Sequence, residues 1–144
     1  RERHGWLRAV GESVKWCFII VALLSACGLE TDKTPVGATR AFLHAAQRGN
    51  CKRAWALLSV DRQAALTQEF GKLKARGRAA SVDELYCGTS SHNSFGGMDA
   101  STTNARSEEA TAATTDVDGK DGTLWSIDLR REGAGWRVHR QYPR

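Results

Sequence analysis

Asp116, Asp118 and Asp121, in the run DVDGKDG, place several carboxylates within seven residues, the composition of a calcium loop. An EF-hand would need a ligand at its fifth position and glycine at its sixth, where Lys120 and Asp121 stand, so the run is expected to be a turn. Aspartate and glycine are also what a hairpin turn demands. Zinc has no better claim. Cys51 has no partner at the spacing of structural zinc sites, Cys87 to His92 is the nearest approach, and no metal or cofactor is expected. Acid–base work needs an Asp and a Tyr or His aimed into one pocket. Tyr86 and Tyr142 are expected to face inward, Asp128 and His139 to pair outward across two strands, His44 to lie on a helix surface and His92 in a solvated loop. Patterns for Ser-His-Asp or Cys-His nucleophiles, or for a glycine loop cradling phosphate, are not found.

The elements that must position these residues fit one modest domain. The chain has 144 residues, 41% apolar and 26% charged, with two prolines and a mean hydropathy of -0.44, which excludes collagen-like, polytopic membrane and proline-rich disordered chains. Net charge is 21 minus 16, or +5; Arg1, Arg3, Arg8 and Lys15 against Glu2 and Glu12 leave residues 28 to 144 with 17 minus 14, or +3. That is too little and too evenly spread for a nucleic-acid footprint.

From Trp16 to Ala26 the chain reads WCFIIVALLSA behind Arg8 and Lys15. A spanning helix needs about 20 apolar residues and a signal-peptide core about 7 to 15, so length favours export. The run ends in Leu24-Ser25-Ala26-Cys27, which resembles the lipobox of bacterial lipoproteins: an aliphatic residue, two small residues and a cysteine. The resemblance implies cleavage after Ala26, a diacylglyceryl group on Cys27 and a chain held to a bacterial membrane of the cell envelope. Residues 1–26 are then the signal peptide, 27–33 a lipidated tether and 34–144 the folded domain. With Cys17 removed and Cys27 acylated, Cys51 and Cys87 remain, to form one disulfide in an exported chain or to stay as two buried thiols.

Thr34 is expected to cap a helix opening on Pro35 and ending at Gly49, with Val36, Phe42, Leu43 and Ala46 as its apolar stripe. A short helix follows, with Trp55 and Leu58 inward. Ser59 then caps a third, to about Arg76, burying Leu66, Phe70 and Leu73; its basic end, KLKARGR, suits the helix dipole. From Ser81 the periodicity changes and strands are expected at 82–89, 102–107, 110–117, 123–131 and 136–142. A four-residue loop over Glu132–Gly135 pairs Leu129 with Val138, Ile127 with Arg140 and Trp125 with Tyr142 on an inward face.

Helices followed by an antiparallel meander make an α+β fold, helices packed on a curved sheet of four to five strands. TPVGATRAFLHAAQRGNCKRAWALLS and, later, LWSIDLRREGAGWRV resemble exported lipoprotein members of the nuclear transport factor 2-like superfamily, over about residues 34–142. The resemblance implies a cone with a pocket between sheet and long helix. Tyr86, Trp125, Ile127, Leu129, Trp136, Val138, Arg140 and Tyr142 are the residues expected to line it, Arg140 orienting an anionic group. The leading expectation is non-catalytic binding of a small apolar or anionic ligand or an envelope protein. The alternatives are a pocket enzyme, like the superfamily's ketosteroid isomerase and scytalone dehydratase, and a structural envelope-assembly protein.

Overall fold

A computed structural model of the chain describes residues 31–74, 81–84, 86, 87 and 95–144. The expected signal peptide, Cys27 and His92 lie outside them. Thr34 takes an extended conformation and its hydroxyl accepts from the Gly37 amide at 3.1 Å, starting α1 (Pro35–Gln47) with proline at a position whose missing N–H has no helical partner to lose. Gly49, at φ 70°, turns the chain out of the helix, and the Asn50 side chain then accepts from Arg53 N to open α2 (Cys51–Ala56). Ser59 caps α3 (Val60–Lys74) through Arg62 N at 3.2 Å.

α1 buries more than a stripe. Ala38, Thr39, Ala41, Phe42, Leu43, Ala45 and Ala46 are all buried, and its polar side has a structural task of its own. Gln47 donates to the carbonyls of Phe95 and Met98, and Arg40 to those of Ala100, Ser101 and Thr103. Those carbonyls lie in two short 3-10 helices, Phe95–Gly97 and Ala100–Thr102, or on the residue after each, where the backbone lacks a ladder and needs side-chain partners.

Four strands follow: β1 (Asn104–Glu108), β2 (Ala112–Asp118), β3 (Leu124–Glu132) and β4 (Gly135–Pro143), an antiparallel meander in chain order. The fold is therefore α+β with the helices N-terminal to a four-stranded sheet. The strand expected at 82–89 does not form: Val82–Glu84, Tyr86 and Cys87 are helical. Ser81-Val82-Asp83-Glu84 is the reason, because Glu84 Oε2 reaches back to Ser81 N at 3.2 Å, the glutamate half of a capping box.

The first half of the outer edge of β4 is closed by backbone. Val138 N donates to Leu57 O and Ser59 N to Val138 O, each at 2.8 Å, while Trp136 N donates to Asp32 O at 2.7 Å. Such cover takes the ladder groups of Trp136 and Val138, in the first half of this edge, out of reach of a foreign strand. It also corrects the expected tether, since Asp32 is fastened to the domain, with a second tie to Arg137. Inside, Phe42 meets Phe95 edge-on at 5.1 Å and Tyr86 meets Phe95 at 5.9 Å, against Val117, Ile127, Leu129, Trp136 and Val138.

One polar pair crosses this core: the hydroxyls of Thr39 on α1 and Thr115 on β2 lie 2.8 Å apart, both fully buried. Thr39→Val should cost about 1–3 kcal/mol because it removes a partner from a buried hydroxyl, whereas Thr39→Val with Thr115→Val should recover most of the loss. Urea denaturation of the three variants checks this; additive losses would mean that the hydroxyls do not depend on each other.

Candidate functional site

Strands β3 and β4 begin in the expected register, Arg131 opposite Trp136 and Leu129 opposite Val138. A bulge then intervenes. Asp128 pairs with Arg140, Ile127 with Gln141, Ser126 with Tyr142 and Trp125 with Pro143, leaving His139 as the extra residue. Because side chains alternate with period two, one inserted residue moves everything after it to the other face. The bulge sits where His139 Nδ1 meets Ser59 Oγ at 2.9 Å, beside the backbone bridge from Leu58 to Val138.

Arg140 and Tyr142 are consequently not inward. Arg140 donates to Asp128 Oδ2 from Nη2 at 2.9 Å and Nε at 3.3 Å, with its guanidinium 5.4 Å from the Tyr142 ring centre and its side chain 66% exposed. The Tyr142 hydroxyl donates to Asp128 Oδ1 at 3.3 Å and Thr114 Oγ1 to the same oxygen at 3.0 Å. Arg140 thus has a carboxylate partner near solvent instead of a place in the apolar interior, and the expected cross-strand pair of Asp128 with His139 is replaced by Asp128 with Arg140. Such a half-exposed pair is worth about 0–1 kcal/mol and acts by orientation more than by stability.

The other expected pocket residues do come together, as packing. Ile127, Leu129, Trp136, Val138 and Tyr86 are buried in one cluster, with Trp125 partly buried against it. Tyr86 reaches it from a helical turn instead of a strand. Burial pushes its phenol up to about 12, against smaller opposing effects of Arg62 and a hydrogen bond with Gln141, so it is neutral at physiological pH. The bridge Cys51–Cys87, Cα atoms 5.3 Å apart, ties this turn to the first residue of α2.

The opening is on the opposite side of the sheet. A groove of about 420 Å³ is lined there by Glu109, Thr114, Asp128, Arg130, His139 and Arg140, with Ser107 at β1. Nearby, Asp116 accepts from Ser126 Oγ at 2.7 Å and Arg144 Nη1 at 3.4 Å, and Asp61 of α3 accepts from Arg130 at 2.6 Å. The groove is a mixed-charge surface in which Asp128 holds Arg140 and Asp61 of α3 holds Arg130. Its composition was visible in the alternating polar positions of β2 and β3, but Arg140 joins it only through the bulge.

Ser59 and His139 have the side-chain types of a nucleophile and its base, and here they serve the fold. Ser59 is fully buried, and its oxygen accepts from Arg62 N as the α3 cap while sharing a hydrogen bond with His139 Nδ1. Burial first and Arg130 next lower the His139 pKa from 6.5, with Arg140 and Arg62 adding to the effect and Asp61 opposing it. A lowered folded-state value means that the unfolded chain binds the proton more readily. Stability is therefore complete above about 6.5 and falls as pH drops through that value. Melting temperatures measured from about pH 5 to 8 should rise with pH, and His139→Gln should flatten the slope; an identical slope in the variant would assign the dependence to another group.

Only the second half of the Asp116–Gly122 run is the expected turn: Asp116–Asp118 end β2, and then Gly119 N donates to Thr123 O at 2.6 Å and Gly122 N to Gly119 O at 3.0 Å, with Gly122 at φ 84°. Among the described residues no helix is long and apolar enough to cross a membrane. The chain matches no family model, no curated protein and no solved structure.

Proposed function

We propose that the chain is a lipoprotein of the bacterial cell envelope, held to a membrane through lipid on Cys27, whose domain of the nuclear transport factor 2-like kind binds an envelope protein without catalysis. The observation that carries the binding half is the groove on the outer sheet face, where Asp128 organises Arg140, Tyr142 and Thr114 beside Arg130 and His139. Prearranged charges of both signs suit a protein surface, because each can be answered by an opposite charge without first being freed from solvent-exposed disorder. The close packing of Ile127, Leu129, Trp136 and Val138 supports an outer-face partner over a ligand held between sheet and helix.

The anchoring half rests on Leu24-Ser25-Ala26-Cys27, since two or three acyl chains hold firmly where one binds marginally. Cys27→Ala should abolish fatty-acyl labelling in cells and leave an unprocessed or mislocalised precursor; labelling that persists would remove this half. For the groove, a photo-crosslinking residue at Thr114 should give a discrete protein adduct in the envelope that the same residue at exposed Val60 does not. Equal adducts at both positions, or adducts at neither, would sink it.

A further inference from the structure

A second groove, of about 410 Å³, lies between the first described residues, α1, α2 and β4, and shares no lining residue with the groove on the sheet. Its charged lining is Lys33, Arg53 and Arg137 against Asp32, with Ala41 and Leu57 as apolar wall. Arg137 holds Asp32 in an ion pair. Lys33 and Arg53 are exposed and meet no carboxylate among the described residues, so positive charge is in excess here.

Position supplies the second observation. Thr31 lines the groove and stands four residues after Cys27. A chain spans at most about 3.3–3.6 Å per residue, so the groove lip lies within roughly 14 Å of that cysteine. Asp32 is tied to β4 by its backbone as well as its side chain, so the domain cannot swing this face far from the anchor.

We propose that this groove receives the phosphate-bearing headgroup of an anionic phospholipid in the membrane that holds the lipid on Cys27. The claim rests on the lipid-anchor half of the proposed function. Guanidinium and ammonium groups pair with phosphate oxygens, Arg53 through two donors at once. Tethering makes the encounter intramolecular, so a weak site is filled, and the negative surface potential of an anionic leaflet adds to it within a Debye length of about 8 Å. The occupancy would orient the domain, setting the partner groove at a fixed angle to the membrane.

The test uses the processed chain carrying Cys27→Ser, which lacks lipid but keeps every described element. In vesicle sedimentation it should bind liposomes of about one-third phosphatidylglycerol at least tenfold better than liposomes of phosphatidylcholine alone. Lys33→Gln with Arg53→Gln should bring the two to within about twofold, whereas Arg106→Gln with Lys72→Gln, the same charge removed outside the groove, should keep the preference. Equal loss in both double variants would mean that net charge alone drives binding and would overturn the site. Saturable inorganic phosphate binding at Arg53 without vesicle preference would overturn the headgroup in favour of free phosphate. The anchor is measured apart, by fatty-acyl labelling of native Cys27, so its failure is distinguishable from failure of the groove.

Discussion

Chains carrying Cys51→Ser with Cys87→Ala should unfold at markedly lower urea than the parent, by about 4 kcal/mol in the chain-entropy account of a disulfide closing 36 residues. Cys51 opens α2 and Cys87 is buried in the helical turn that carries Tyr86, so the bridge fixes that turn against α2 from the far end of a long connection. Tyr86 reaches Trp55 at 6.2 Å and Phe95 at 5.9 Å, contacts that depend on the same placement. Loss should therefore appear in near-ultraviolet aromatic signals at denaturant concentrations where helix content persists. A reduced chain with unchanged midpoint would mean that α1, α2 and the sheet hold the turn without the bridge.

Trp136→Ala should be the costliest single change in the sheet, about 3–5 kcal/mol. Trp136 is 1% exposed, opposes Arg131 across β3 with the guanidinium 5.8 Å from its ring centre, and fills the cluster that includes Ile127, Leu129 and Val138. Trp125 is only partly buried, so Trp125→Ala should cost about 1–2 kcal/mol. The contrast between the two tryptophans separates a packed interior from a ligand pocket with tryptophan walls. Small and equal losses for both would restore the pocket and remove the outer sheet face from its leading place.

Local chemistry was readable at the helix ends and hairpins because it acts within a few residues. Thr34-Pro35, Gly49 and Ser59 mark helix boundaries through hydrogen-bond donors and allowed torsions that any chain must satisfy, and Glu132–Gly135 sets where the last hairpin turns. Alternation likewise placed Leu129 opposite Val138 and brought Ile127 and Trp136 to one interior. The helical turn before Tyr86 was equally local, its Ser81 to Glu84 capping contact lying behind a Ser/Thr-rich composition that favours strands.

Tertiary structure alone decided the face of Arg140 and Tyr142. Nothing within β4 announces that His139 is extra; the bulge is placed where Ser59, eighty residues away, meets the imidazole and the Leu57–Ser59 backbone pairs with Val138. Strict alternation would bury an arginine opposite Ile127, and one inserted residue instead carries it to Asp128 and solvent. Asp32 is the second case: residues 27–33 read as a tether, yet the edge amide of Trp136 and the guanidinium of Arg137 on β4 are both answered by Asp32. Hydrophobic alternation and capping are properties of neighbours in sequence, whereas the satisfaction of a bulge or a sheet edge depends on groups that only folding brings within hydrogen-bond distance.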